Sequence, residues 1–384
     1  VRKNTRRDRT LLIIGNGVLG GNVLDLLSWV GFDGQIVVGG RNRTAVEERV
    51  NLARLAAYNQ GTNPRLAAAC VDLDDVDRTA ETVSRLRPDI IFNTASVQTY
   101  WRISLLPREL YQMLDRPGVG PWLPMHLSPA HRLMTAVHRS GHDSVVVNAA
   151  YPDAVNPALQ TCGLAPAVGI GNVMNVVPAV RSAAALHLGV DVERVHVRLV
   201  AHHYVSNRLP AAGDTGGADY DLRIYVDGTD VTDSADTPAL FRLLPTDVRR
   251  TRGRAGMYVT ASSAFAVLNG LTSATPVTVH APGPLGLVGG YPVRLSEHGI
   301  ELDLASACSQ ERAVAVNEQG QVFDGIERIE VNGRVVFTDL ATRTMSDVLG
   351  HHCPEFKVED CHDWARELKA KYSAFEARTG VTGS

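Results

Sequence analysis

Lysine is nearly missing from this chain. Lys3, Lys357, Lys369 and Lys371 sit near its two ends and none lies between, although arginine is abundant throughout. Lysine is the residue that forms Schiff bases with carbonyl groups and that most readily shifts its pKa for proton transfer. The body of the chain therefore offers no lysine for such work, and a Tyr-x-x-x-Lys pair is found at none of its tyrosines. Unless a lysine from the C-terminal end folds back, acid–base chemistry falls to His, Tyr, Asp or Glu. Cysteine is also sparse, with five residues at irregular spacing that make no disulfide framework. No signal-peptide pattern is visible, and the reading is a reduced, cytoplasmic setting. No apolar run is long enough to span a bilayer. A net charge of −3 provides no basic surface for nucleic acid or anionic lipid. Arg2-Lys3 and Arg6-Arg7 read as a tail rather than a binding arm. No Gly-x-Ser-x-Gly elbow supports a hydrolase. His351-His352-Cys353 and Cys361-His362 match no common zinc-finger spacing, so no metal is expected.

What is present begins with Leu11-Leu12-Ile13-Ile14-Gly15-Asn16-Gly17-Val18-Leu19-Gly20. An apolar run reads as a buried strand, the glycines as a turn, and Val18 as the start of an amphipathic helix. A helix start carries unpaired N–H groups and the positive end of a dipole, where a pyrophosphate can sit. Gly15 allows the tight turn, Gly17 lets the backbone approach phosphate, and Gly20 lets the helix pack on the strand. Gly15, Asn16, Gly17, Val18, Leu19 and Gly20 are thus expected to bind a dinucleotide.

A second strand, Gln35 to Val38, exits through Gly40 into Arg41-Asn42-Arg43. An acidic residue here would bind the ribose of NAD, whereas arginines grip a 2′-phosphate. Arg41, Asn42 and Arg43 therefore favour NADP over NAD. A third strand (66–71) ends in Asp72-Leu73-Asp74, placed to meet adenine. A fourth ends in Asn93-Thr94-Ala95-Ser96, where small side chains leave room for ribose and nicotinamide. Strands separated by helices of this length make a parallel sheet with right-handed crossovers. The segment from Val97 to Leu127, with Tyr100 and Trp101, reads as a wall or lid. A helix is expected from Ser128-Pro129 to His138, then a fifth strand leading into Tyr151-Pro152-Asp153.

From about Asn156 the pattern changes. In Val195 to Tyr204, strand alternation puts His196, Arg198, His202 and Tyr204 on one face, and a strand at Leu222–Val226 agrees. The glycine-rich stretch Ser206–Asp219 reads as a mobile loop. Histidine suits proton donation near neutral pH, so His202 leads the catalytic candidates, followed by Tyr204, Tyr151 and Asp153. Arg198 could clamp a carboxylate, with Tyr100, Trp101 and His280 as further substrate contacts. A hairpin turned at Asn332-Gly333 and a closing helix striped with Trp364, Leu368, Tyr372 and Phe375 complete the chain.

The Gly15–Gly20 motif, Gly40-Arg41, Asp72-Leu73-Asp74 and Asn93-Thr94-Ala95 together resemble the saccharopine dehydrogenase-like group of NAD(P)-binding reductases over about the first 155 residues. The resemblance implies NADP at the strand ends, a cleft between two domains, and homodimers built through the second. It also implies reduction of an imine or carbonyl on a small amino-acid-like or carboxylate-bearing substrate. The Val97–Leu127 segment is longer than that pattern needs, and the lysine some members use has no counterpart in the body of the chain. The expected architecture is α/β: a Rossmann domain over 9–155, an α+β domain with a mixed sheet over 156–339, and a helical segment over 340–384 returning to the body. The expected function is an NADP-dependent oxidoreductase. Its rivals are a lyase or condensing enzyme that uses a dinucleotide without net redox, and a non-catalytic NADP(H) sensor.

Overall fold

A computed structural model describes residues 9–251 and 253–379; the basic pairs at Arg2-Lys3 and Arg6-Arg7 lie outside them. The chain opens with alternating strands and helices: β1 (Arg9–Ile14), α1 (Val18–Val30), β2 (Gly34–Gly40), α2 (Arg43–Asn59), β3 (Arg65–Cys70), α3 (Val76–Leu86) and β4 (Ile90–Asn93). After α4 (Arg108–Asp115) and α5 (Leu123–Ser140) come β5 (Val145–Asn148), α6 (Pro152–Gln160) and β6 (Val168–Gly169). All six strands lie in one parallel sheet ordered β3-β2-β1-β4-β5-β6. Its chain order reverses between β1 and β4, which opens a crevice at the carboxyl ends of those strands. Leu11, Leu12, Ile13 and Ile14 are all buried, as a strand covered by helices on both faces requires. Each contributes about 1.5–3 kcal/mol of hydrophobic stabilisation.

The remainder forms three small antiparallel sheets. α7 (Val173–Leu188), β7 (Val195–Val200), α8 (His203–Ala212), β8 (Asp221–Val226), β9 (Thr229–Asp230) and α9 (Thr237–Arg242) make the first layer. Val195, Val197 and Leu199 of β7 pack with Leu222 and Ile224 of β8 against α7, as their alternation predicts. α10 (Gly253–Leu271), β10 (Val277–Pro282), β11 (Gly290–Ser296) and β12 (Gly299–Leu302) follow. Ala264, Val267 and Leu268 of α10 share one core with Val23, Leu24 and Leu27 of α1, so the two halves are packed as one body. α11 (Gln310–Phe323), capped by Ser309, leads to β13 (Ile326–Ile329), β14 (Arg334–Phe337), α12 (Asp339–Leu349), β15 (Glu355–Lys357) and α13 (Cys361–Thr379). Leu368, Tyr372 and Phe375 bring α13 back onto the first half, and no helix among the described residues is long and apolar enough to cross a membrane.

Three local expectations are corrected. α5 starts at Leu123, not Ser128, because Pro124 occupies its first turn and Pro129 is carried inside. Strand β7 ends at Val200, so alternation does not extend to His202, which instead caps α8. α8 also absorbs Ser206 to Ala212 of the expected loop; Gly213 ends it in the left-handed conformation at φ +74°.

Candidate active site

The glycine motif forms the turn between β1 and α1. Gly15 takes φ +103°, and a Cβ there would stand 2.3 Å from Thr94 Oγ1. A Cβ at Gly20 would stand 2.1 Å from the Gly15 carbonyl oxygen, so the helix can cross the strand end only with glycine. Gly17 differs from both. It is exposed, it caps α1 with no side-chain hydrogen bond, and a Cβ there would meet nothing within 4 Å. The first turn of α1 holds no acidic side chain either. Uncapped N–H groups beside open space form a cradle for phosphate oxygens. Asn16, Val18 and Leu19 are partly exposed on the same turn. Thr94 Oγ1 donates to the Ile14 carbonyl at 2.9 Å, tying the β4 exit to this turn, and Ala95 N–H donates to Asn93 Oδ1 at 3.1 Å. Ser96 is half-buried just beyond.

The β2 exit serves structure more than expected. Asn42 Oδ1 accepts from Ala45 N–H and caps α2, while Arg43 Nε donates to Glu47 at 2.8 Å. Arg41 alone is exposed with no side-chain hydrogen bond or ion pair among the described residues. Asp72 shapes its own turn by accepting from Asp74 N–H, and Leu73 is buried in the core.

At the carboxyl end of β5, a buried cluster gathers from four parts of the chain. Tyr151 enters α6 at φ +46°, a costly conformation for a residue with a Cβ. Its hydroxyl donates to Asp324 Oδ2 at 2.7 Å. His203 Nδ1 meets the same oxygen at 2.8 Å, and Val119 N–H donates to Asp324 Oδ1 at 3.1 Å. Asp153, in the first turn of α6, accepts from the His203 backbone N–H at 2.9 Å and from Asn172. Asp324 itself follows α11, which approaches closely at Gly320. A Cβ at Gly320 would lie 2.5 Å from His202 Cβ, so glycine at this step lets α11 deliver Asp324 to the site.

The electrostatics give the members different states. Burial alone would favour neutral forms of both partners, but the His203–Asp324 attraction and hydrogen bond prevail. His203 is raised above the ordinary histidine value and Asp324 is held below the carboxylate range. Burial and the Asp324 charge push the Tyr151 hydroxyl far up, so it stays a donor. Burial lowers His202, and it lowers His126 to about 4, where nearby His203 adds to the effect; both are neutral. His202 Nε2 and both ring nitrogens of His126 are buried without a hydrogen-bond partner. The His126 ring lies edge-on to Tyr151 at 6.2 Å. Three buried ring nitrogens without partners beside an ion pair call for a ligand, an ordered water or a catalytic role.

Of the expected catalytic residues, Tyr151, Asp153 and His202 come together here. Tyr204 does not: its ring packs on Phe323 at 5.2 Å, and its hydroxyl faces Gly216. Arg198 is no free clamp, because it pairs with Asp303 at 3.0 Å and lies over the Tyr225 ring on the outer side of β7. His280 is also structural: its buried Nε2 accepts from Leu199 N–H at 3.1 Å and joins β10 to β7. Tyr100 donates to Asp115 at 2.7 Å and is close enough to feel the Asp324 charge. Trp101 makes no side-chain hydrogen bond or ring contact among the described residues.

The Val97–Leu127 segment is packed against α13. Trp122 meets Tyr372 of α13 edge-to-face at 5.3 Å, and Arg102 grips Glu376 through two hydrogen bonds of 2.7 and 3.0 Å. Lys369 does fold back, donating to Gln98 at 2.8 Å. Sequence reasoning missed His203, Asp324 and His126. The adjacent pair His202-His203 was the visible signal, and of the two it is His203 whose Nδ1 bonds Asp324, at 2.8 Å.

No family model matches the chain, and no curated protein matches it. Solved structures do. A lactate dehydrogenase from Eimeria maxima, solved with NADH and oxamate, aligns with a TM-score of 0.55 at 13% identity, over 84% of this chain and 92% of that one. A lactate dehydrogenase from a Medee basin deep-sea metagenome library aligns at 0.52 and 13% identity, over 83% and 97%. A malate dehydrogenase from Plasmodium falciparum, in complex with NADH, aligns at 0.50 and 10% identity, over 94% and 99%. The likeness is one of fold: a Rossmann-type sheet followed by smaller antiparallel sheets and a C-terminal helix. The resemblance to saccharopine dehydrogenase-like reductases stands only at that general level, without specific support.

Proposed function

We propose that this protein is a nicotinamide-dependent dehydrogenase that interconverts a secondary alcohol and a ketone on a small carboxylate-bearing substrate. The observation that carries the reading is the buried His203–Asp324 pair beyond the carboxyl end of β5, in a chain whose β1–α1 turn leaves Gly17 and the first helical N–H groups open to a phosphate. The nicotinamide, when bound, exchanges the hydride; the chain must bind, orient and move the proton. Gly17 and the first turn of α1 would hold the pyrophosphate. Asp324 fixes the tautomer of His203 by accepting its Nδ1–H, and Nε2, which lies 2.9 Å from the Asn207 side-chain amide, is the nitrogen a substrate would take over from Asn207. That nitrogen would protonate the carbonyl oxygen during reduction and take the proton back during oxidation. Asp153 positions His203 through its backbone, and neutral His126 and His202 supply hydrogen bonds to the substrate oxygens. The wall from Val97 to Leu127 keeps water out.

The carbonyl is preferred over the imine because the fold is that of lactate and malate dehydrogenases. NAD(H) is preferred over the NADP expected from the arginines. Arg43 is committed to Glu47, whose carboxylate would repel a 2′-phosphate, and Asn42 is committed to its cap. Fluorescence titration should give tighter binding of NADH than of NADPH. Arg41→Ala should leave NADH affinity within about twofold, a change well under 1.4 kcal/mol. Tighter NADPH binding, lost in that variant, would restore the NADP reading.

A screen of 2-oxo acids with NADH tests the reaction itself. Reductive kcat/KM should fall as pH rises through the raised pKa of His203. Removing the charge by Asp324→Asn should move that fall to lower pH. An unmoved profile would assign the proton to another group, and cofactor binding without turnover of any oxo acid would favour a non-redox role.

A further inference from the structure

A second cluster of reactive side chains lies apart from this site, where α13 begins. His131 of α5 stands beside Cys361 and His362, and one ligand atom from each lies within 4.8 Å of the others. We propose that these three residues bind a single borderline-soft divalent cation of the zinc type, pinning α13 to α5. Two imidazoles and a thiol are the donor set such an ion selects, whereas magnesium and calcium prefer oxygen. Zinc with ligands at about 2.0–2.3 Å needs donors roughly 3.3–3.8 Å apart, so closure asks for about 1 Å of side-chain movement.

Several details point to a ligand and not to a packing accident. His131 Nδ1 is buried with no hydrogen-bond partner. The His131 and His362 rings sit edge-to-face at 5.0 Å. His362 Nδ1 lies 2.8 Å from Ser128 Oγ. With the imidazole N–H donating to that hydroxyl, Nε2 keeps a free lone pair, the arrangement that orients metal-binding histidines. Cys361 is fully buried, a reduced thiol beside both histidines. Arg132, the cation nearest in sequence, is ion-paired with Asp74, which offsets its repulsion of a metal. The remaining position falls to solvent. Spacing rules looked for ligands close together in sequence and could not pair His131 with Cys361. The other cluster is spent elsewhere, since His351 bonds Glu367 at 3.0 Å.

The ion would anchor the helix that holds the wall of the active site through Lys369, Tyr372 and Glu376. The test uses the full chain, stripped with a chelator and titrated with Co2+. One equivalent should bind with a thiolate charge-transfer band and visible bands of four-coordinate cobalt, and Zn2+ should displace it. Cys361→Ser should abolish the charge-transfer band, and His131→Ala, at a half-buried position, should weaken Zn2+ by about tenfold or more. Cys353→Ser should change neither. Should the Cys361 variant misfold, wild-type protein still decides: Zn2+, but not Mg2+, should raise the Tm of the stripped chain. Failure to bind one equivalent, binding unaffected by both ligand variants, or a Tm indifferent to Zn2+ would each overturn the proposal.

Discussion

His203→Asn should lower the reductive kcat by about 10²–10⁴-fold, the range a positioned general acid contributes, while NADH affinity stays within about twofold. The asparagine amide can still donate to Asp324 from the place of Nδ1, so the carboxylate keeps its partner. What is lost is Nε2. His203→Ala separates chemistry from folding. It would leave the Asp324 carboxylate with hydrogen bonds from Tyr151 and Val119 and with His202 Nδ1 3.9 Å away, and breaking a buried pair costs about 3–5 kcal/mol. Thermal melts of the two variants should therefore differ even though both are inactive. The pair also sets how stability depends on pH. The raised pKa of His203 contributes stability that is whole below the unfolded histidine value of about 6.5 and is lost as pH rises through the folded value. The depressed Asp324 contributes above about 3.9 and fails as pH falls through its folded value. Turnover that survives in the asparagine variant would move the donor to Tyr151 or His202.

The parts of the fold legible in the sequence are those whose cause is local. The β1 run, the glycine turn and the amphipathic α1 are adjacent, so their spacing carries their geometry. The alternation of Val195, Val197 and Leu199 placed β7 correctly on its core. The candidate site was only half legible, because it is assembled from distant segments. Tyr151 and Asp153 follow a strand end and could be found by position. Asp324 follows α11 before Gly325 and reads as an ordinary helix terminus; only its contact with His203, across 121 residues, gives it meaning. Arg198 misled for a related reason. An arginine on the polar face of a strand looks free until its partner, Asp303, arrives from another sheet.

Gly17→Ala and Gly20→Ala should fail in opposite ways, and the contrast tests the cradle directly. Gly17 has φ −71°, which alanine adopts freely, and its added Cβ would touch nothing in the protein. The substitution should cost at most about 1 kcal/mol of stability, the difference between glycine and alanine as a cap. The new methyl group would nevertheless stand where phosphate oxygens must approach the backbone, so NADH affinity should fall by about tenfold or more, at least 1.4 kcal/mol. At Gly20 the added carbon meets the Gly15 carbonyl oxygen at 2.1 Å, backbone that cannot step aside. α1 must shift on β1, at a cost of about 1–3 kcal/mol from overpacking. Since α1 shares its core with α10, the loss should appear as a lower Tm for the whole chain, even without cofactor. A Gly17 variant that melts normally and binds NADH as tightly as wild type would mean that no dinucleotide lies along α1.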